Sequence, residues 1–326
     1  MANKQIKSKP TFQDFWDKYS TLAIMVLIVI VFGILRPTSF LKFDNLLKIT
    51  EQSSITILLA CGEFFAILLA GIDLSVGSVM ALSGVVMAKF MVEGFHPVIA
   101  VLVGGVLLGT LLGAFNGLLI NVTQLPPFII TLGSQLIFRG LTMIISRARA
   151  VAGLPGEFSA LVAGRSLFII PNPFIIAFII AAILTFFSLK TKAGRNLYAI
   201  GGNRQAAWFA GITIKLHTML AFIFSGICSA FAGMVNIARL SAAEPNAGTG
   251  YETYAIAAVI IGGTSFFGGQ GIIPKVVIGG IIIGIINNGL NMMGLSSFYQ
   301  QIAMGSMIIF AVTLDRFFGA SSKVGK

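Results

Sequence analysis

The sequence has little charge. Only 10% of its 326 residues are charged, whereas a typical soluble domain has about 25%. Apolar residues make up 56% of the chain, and its mean hydropathy is +0.95. A chain with so few charged side chains cannot cover a water-exposed surface, so a water-soluble globular protein is excluded.

Cysteine and histidine are also scarce. Cys61 and Cys228 each lie inside a long apolar run, which excludes a disulfide scaffold and indicates two small core residues. His96 and His217 are the only histidines, and no cluster of His, Cys, Asp and Glu has the spacing of metal ligands. There is no Gly-x4-Gly-Lys-Ser/Thr loop for phosphate binding. We therefore predict no metal, no cofactor and no enzymatic activity for this chain.

Long apolar runs dominate what is present. A membrane span needs about 20 mostly apolar residues, and the sequence is long enough for ten with short connections. These runs predict an all-α, polytopic helical membrane protein of about ten spans, with a short N-terminal segment (1–17), a transmembrane domain (18–316) and a tail (317–326). The predicted spans are 18–36, 50–70, 75–92, 97–120, 126–145, 167–189, 216–238, 253–268, 272–292 and 298–316.

The net charge of +11 has two interpretations. In a soluble protein it would suggest nucleic-acid binding, but no basic run is interleaved with aromatic residues as such a surface requires. In a membrane protein, basic residues gather at the cytoplasmic ends of spans. With ten spans and a cytoplasmic N-terminus, 13 basic residues fall inside and eight outside, and Arg139 lies within a span. This bias predicts that both termini and the 190–215 loop are cytoplasmic, and that 146–166 and 239–251 are external.

A weak internal repeat suggests transport. Asn116-Gly117-Leu118 recurs as Asn288-Gly289-Leu290, and Gly133-Ser134 recurs as Gly305-Ser306, both at an offset of 172 residues. This offset separates equivalent spans by five, an odd number, so the second copy would be inverted in the membrane. Inverted repeats are a recurrent plan for alternating access in transporters.

One polar segment interrupts two apolar runs. The sequence from 71 to 78 contains Asp73 and Ser75 and predicts a helix break followed by a new helix start. Either side chain could cap the new helix by accepting its free N–H groups. Because broken backbone at membrane depth is tolerated only against protein or a watery cavity, the same segment could instead line or gate a path.

Few other polar groups lie in the spans. Glu63 is predicted to face the bundle interior, and Arg139 either reaches toward an interface or has a functional role. This small number of ionisable groups disfavours ion-coupled transport. Amides either bridge helices or give a polyol weak hydrogen bonds along a path. The amides in or beside the fourth and ninth spans are Asn116, Asn121, Asn287, Asn288 and Asn291.

The loop at 190–215 contains the most specific pattern. Residues 203–212 predict a short amphipathic helix with a glycine near its end. Gln205-Ala206-Ala207-x3-Gly211 resembles the Glu-Ala-Ala-x3-Gly coupling motif of ATP-binding-cassette (ABC) importer permeases, with Gln205 in place of the glutamate. In that family, small residues let the helix lie in a groove of the ATPase subunit.

Four further runs extend the resemblance over nearly the whole chain. Residues 71–78, 194–203, 239–252 and 262–269 resemble the ribose-type monosaccharide permeases in order. Ile272-Ile273-Pro274 departs from the family pattern, which has a basic residue and a glycine there. The resemblance implies a type II importer-like fold, a homodimer of permeases in membrane lipid, an ATPase with two fused cassettes and a periplasmic sugar-binding protein.

The residue patterns and the resemblance together predict roles for three groups of residues. The expected ATPase-coupling residues are Asn203, Gln205, Ala206, Ala207 and Gly211. The expected path or gate residues are Asp73, Ser75, Asn116, Asn287, Asn288 and Asn291. The expected contacts with the binding protein are Glu244, Thr249, Tyr251 and Glu252.

Two other functions stay open at the level of sequence. A stand-alone secondary carrier could be proton-coupled through Glu63 or Asp73. A membrane receptor or scaffold would fit the hydropathy, but it would have no need for an inverted repeat and broken helices.

Overall fold

The fold is a bundle of apolar helices. A computed structural model describes residues 12–166 and 169–321, so the predicted terminal segments lie largely outside the described residues, at 1–11 and 322–326. The helices are α1 (Phe12–Leu35), α2 (Phe43–Leu68), α3 (Val76–Val92), α4 (Pro97–Ile99), α5 (Leu108–Thr123), α6 (Pro127–Ser146), α7 (Gly156–Ala163), α8 (Asn172–Lys190), α9 (Lys192–Gly202), α10 (Arg204–Phe209), α11 (Ile214–Leu240), α12 (Tyr251–Ile261), α13 (Ile273–Met292) and α14 (Ser297–Ser321).

Irregular and extended segments join these helices. A π-helical segment, Ala100–Leu107, joins α4 to α5, so that Pro97–Thr123 forms one long apolar helix. Two short antiparallel ladders lie in the connections. They pair β1 (Val151–Ala152) with β4 (Ala242–Ala243), and β2 (Arg165–Ser166) with β3 (Ile170–Pro171).

Each of the ten predicted spans coincides with a helix, and among the described residues six helices are long and apolar enough to cross a membrane. The eighth, predicted at 253–268, is corrected. Helix α12 has 11 residues and is about 16 Å long, roughly half the hydrocarbon thickness. Gly263, Gly268 and Gly269 adopt positive φ, so the chain turns where the prediction continued a helix.

Helix α2 forms the centre of the bundle. From Ser53 to Leu68 all of its residues are buried. The ring of Phe65 lies 4.9 Å from Phe224 of α11 and 6.1 Å from Phe187 of α8, measured between centroids. Burial on all sides explains why the part from Ser53 to Leu68 is largely apolar and has one charged residue, Glu63.

The repeat is present in the helix contacts. A shift of 172 residues places α2 on α11, α3 on α12, α5 on α13 and α6 on α14. The helix contacts show the same correspondence. The pair α5–α11 in one half is matched by α13–α2 in the other, and the pair α3–α6 is matched by α12–α14.

The two copies run in opposite directions. Leu68, at the end of α2, accepts a hydrogen bond from Gly269 beside α9, while Glu51 near the start of α2 binds Arg239 at the end of α11. Helices α2 and α11 are therefore antiparallel, as an inverted repeat requires. We call the end of the bundle that carries residues 190–215 the loop end.

Small residues let the copies approach closely. A side chain on Gly113 of α5 would collide with the backbone carbonyl of Phe222 on α11. Close backbone approach through glycine is a common means of packing membrane helices, for which the hydrophobic effect supplies little drive.

We predict that Gly113→Ala destabilises the protein by about 1–3 kcal/mol, because the added methyl group overpacks the α5–α11 contact. Unfolding by SDS titration in mixed micelles measures this free energy. The matched control is Gly140→Ala on α6, where a new Cβ meets nothing within 4 Å. Equal stability of the two variants would contradict the packing role.

Candidate functional site

The chain breaks between α2 and α3, as the sequence predicts. Ala70 adopts a φ of +57°, and residues 71–73 have no regular structure. The Ser75 side chain makes no capping bond. The Asp73 carboxylate instead accepts the Ser75 N–H at 2.9 Å and the Ser75 hydroxyl at 2.6 Å. One carboxylate oxygen thus holds Ser75, the residue immediately before α3.

Other helices fix this break. Thr131 of α6 accepts from the Leu74 N–H at 3.1 Å and donates to the Ile72 carbonyl at 3.0 Å. Ser225 of α11 donates to the second Asp73 oxygen at 2.6 Å. Thr131 and Ser225 had no predicted role, although hydroxyl residues on apolar helices are a known source of such bonds.

A buried polar cluster surrounds Asp73. Its N–H donates to Glu63 Oε1 at 3.0 Å, and Asn116 Nδ2 donates to Ser75 Oγ at 2.9 Å. Glu63, Ser75 and Asn116 are fully buried, and Asp73 is 2% exposed. Within the described residues the one salt bridge joins Arg239 to Glu51, so neither buried carboxylate has a basic partner.

The predicted path residues form two separate groups. Asp73, Ser75 and Asn116 meet at the break, whereas the amides of α13 lie toward the opposite end of the bundle. Asn288 exchanges two hydrogen bonds of 3.0 Å with Asn45 of α2, and so bridges two helices. Asn291 is exposed and accepts from Gln300 at 2.7 Å. Asn287 has a buried Oδ1 with no partner among the described residues.

A second break follows α11. Arg139 of α6 donates to the carbonyls of Pro245 at 2.6 Å and Ala247 at 2.8 Å. Gly248 packs directly on Gly77 of α3. At the offset of 172 residues, 245 and 247 correspond to 73 and 75 of the first break. Helix α6 therefore holds both breaks, through Thr131 and Arg139.

The predicted contacts with a binding protein differ in exposure. Glu244 and Thr249 are exposed and available to a partner. Tyr251 and Glu252 are half-buried, and Glu252 Oε1 accepts from Gln135 of α6 at 3.2 Å. The start of α12 is thus engaged within the chain as well.

The predicted coupling helix is α10. Asn203 ends α9 and caps α10, because its side-chain oxygen accepts the Ala206 N–H at 2.9 Å. Gly211, at a φ of +77°, ends the helix in a Schellman turn, with bonds from Gly211 to Trp208 and from Ile212 to Ala207. The sequence therefore specifies both ends of this short helix.

One side of α10 is unpartnered and apolar. Trp208 is 63% exposed and Phe209 is 78% exposed, with their rings 4.9 Å apart. Gln205, Ala206 and Gly211 are also exposed, whereas Ala207 is buried against the bundle. Two adjacent exposed aromatic residues in this basic loop make α10 a candidate contact surface.

Helix α9 connects this surface to the bundle core. Gly201 packs directly on the carbonyl of Leu68, the last residue of α2. The Tyr198 hydroxyl donates to the Gly271 carbonyl at 2.9 Å, and burial raises the pKa of this phenol above its ordinary value. The docked helix pair therefore abuts the end of α2, immediately before the first break.

Inverted halves, broken helices and an exposed helix docked on the central span together define a polytopic membrane permease. The profile of the family described as branched-chain amino acid transport system permease component matches residues 45–312. No solved structure gives a significant match.

Curated relatives match almost the whole chain. The D-allose transport system permease protein AlsC of Escherichia coli K12 is 54% identical over 95% of both chains. The ribose import permease protein RbsC of Bacillus subtilis 168 is 42% identical over 94% of both. The galactose/methyl galactoside import permease protein MglC of Salmonella typhimurium LT2 is 33% identical over 92% of this chain and 94% of the relative. The chain belongs to the ribose-type sugar permeases of ABC transporters.

We predict that Asp73→Leu costs about 3 kcal/mol of stability, because it leaves the buried groups of Ser75 and Ser225 without their acceptor. Asp73→Asn keeps the shape and one acceptor oxygen, and should cost less than half as much. SDS titration of the purified variants measures both free energies. Equal losses would show that the carboxylate does not hold the break through these bonds.

Proposed function

We propose that this chain forms the membrane path of a binding-protein-dependent importer that carries D-allose inward, driven by ATP hydrolysed on a partner subunit. The observation that carries this proposal is the exposed face of α10 on a helix pair docked against the end of α2. The 54% identity to a D-allose transport system permease supports the choice of sugar.

The proposal assigns one end of the bundle to the cytoplasm. The loop end, with five basic residues and no acidic residue between 190 and 215, is cytoplasmic, as are both termini. The membrane is the bacterial inner membrane. Segments 1–17 and 317–326 are the cytoplasmic ends of a single permease domain, 18–316.

Three protein partners follow from this arrangement. An ATPase with two fused cassettes binds Asn203, Gln205, Ala206, Ala207 and Gly211 at the loop end. A periplasmic sugar-binding protein contacts the opposite end around Glu244 and Thr249, which are exposed, with Tyr251 and Glu252 beside them. A second copy of the permease completes the path. Gln205 replaces the motif's glutamate, so it offers the ATPase a neutral hydrogen bond.

In this proposal, the first break is the segment at which the chain moves during transport. Asp73, Ser75 and Asn116 are bonded to one another and buried, so they act as the joint of a gate. Asn287 and Asn291 border the opposite end of the path, where Asn288 fixes α13 to α2. A displacement of α9 is transmitted to these residues through the contact between Gly201 and Leu68.

We predict that deletion of this chain abolishes uptake of labelled D-allose and that re-expression restores it. Mild purification should recover a tandem-cassette ATPase at about one per two permeases, identified by mass spectrometry. Uptake that collapses with a protonophore while cellular ATP is held constant, with no ATPase recovered, would instead establish an ion-coupled secondary carrier. Uptake that survives the deletion would contradict a transport role for this sugar.

We predict that Gly211→Asp abolishes uptake and recovery of the ATPase while the protein stays in the membrane. Asp and Asn tolerate positive φ better than other residues, so the turn is kept and charge is added to the docking face. Gly211→Asn adds similar bulk without charge and should keep part of the uptake.

Gly94→Asp provides a second control. Gly94 also has positive φ and open surroundings, but it follows α3 at the opposite end of the bundle, so its variant should retain the ATPase. Normal uptake in Gly211→Asp, or equal loss of the ATPase in both aspartate variants, would contradict docking at α10.

A further inference from the structure

A groove runs along the outside of the bundle at the loop end. It lies between the last turns of α8 and the first turns of α13 and has a volume of about 570 Å³. Its lining on α8 includes two small residues, Ala181 and Ala182, and the larger Phe178 and Phe186. Lys190, the last residue of α8, is also part of the lining.

The groove matches one leaflet of a bilayer in length. From Phe178 to Lys190 the helix rises about 18 Å, and half of a typical hydrocarbon core is about 15 Å. Lys190 is the last residue of α8, so its ammonium group lies at the level of lipid headgroups. A chain lying in the groove would therefore begin at the membrane surface and end near the midplane.

The residues that line the groove are mostly apolar and favour an apolar ligand. Apart from Lys190, the polar side chain in the groove is Thr185, whose hydroxyl already donates to the Ala181 carbonyl at 2.6 Å. A sugar would find no further hydrogen-bond partner there.

The basic residues at the loop end of the groove favour an anionic headgroup. Lys190 is exposed and makes no ion pair within the described residues. Arg195 lies close by, since its guanidinium donates to the Lys190 carbonyl at 3.3 Å. Between 190 and 215 there are five basic residues and no acidic one. Basic pockets between membrane helices are suited to anionic lipid headgroups.

We propose that this groove binds one acyl chain of an anionic phospholipid whose phosphate pairs with Lys190. Helix α8 lies between the two copies of the repeat, and α13 belongs to the second copy. A lipid held between them stabilises their relative position during transport. This site is independent of which sugar the protein carries.

Native mass spectrometry of the delipidated protein, titrated with phosphatidylglycerol or phosphatidylcholine of identical acyl chains, tests the site. We expect phosphatidylglycerol to bind about fivefold more tightly, the difference that one basic residue at a membrane surface supplies. Lys190→Gln should remove this preference and leave phosphatidylcholine binding unchanged. Lys48→Gln, an exposed lysine near the start of α2 at the opposite end, is the matched control.

Filling the groove gives an independent test. Ala182→Phe should weaken binding of both lipids at least fivefold, whereas Ile183→Phe, on the same helix but outside the groove, should not. If Ala182→Phe does not fold, as judged by elution volume and helical circular dichroism, the lipid titration of Lys190→Gln alone tests the proposal.

Equal binding of the two lipids to the unaltered protein would overturn the proposal. So would an Ala182→Phe variant that binds lipid normally but is reduced to a single copy in the same spectrum, since the groove would then be a contact between copies.

Discussion

A backbone that breaks inside a membrane must find partners for its N–H and C=O groups, because hydrocarbon offers none. Two such breaks shape this molecule, at residues 69–75 and 241–250, and helix α6 supplies bonds to both. Thr131 binds the Ile72 carbonyl and the Leu74 N–H, and Arg139 binds the carbonyls of Pro245 and Ala247. One regular helix thus contacts both irregular segments, and Ser225 of α11 adds a further bond to the first.

The first break also explains why α2 is central. Its end is in contact with α9 on one side, through Gly201, and with the Asp73 cluster on the other. A displacement at the loop end has a short route to the joint, because backbone contacts backbone there without an intervening flexible side chain. Close packing makes such a joint stiff, so that it moves between discrete arrangements and does not yield gradually.

The sequence predicts the parts of this fold that depend on local patterns. Long apolar runs predict ten helices, and the sequence from Gly71 to Ser78 predicts the first break. Both predictions depend only on residues that are neighbours in the sequence. Helix α12 ends at Ile261 because the chain turns at Gly263, Gly268 and Gly269, so its short length is signalled by glycines that a hydropathy window averages away. The sequence leaves open whether the Asn288 amide bridges helices or borders a path, because its partner Asn45 lies 243 residues away.

The two breaks are equivalent by the repeat but differ in chemistry. The first is held by a carboxylate and hydroxyl groups in a buried cluster, whereas the second is held by the guanidinium of a half-buried arginine and contains the exposed Glu244 and Thr249. Long, exposed connections at the second break allow a partner to reach it from outside. The polar side chains of the first break, Asp73 and Ser75, are instead buried among α2, α5, α6 and α11. An inverted repeat with identical copies would present the same break to both ends of the bundle, so the difference in chemistry between these two breaks makes the two ends of the molecule unequal.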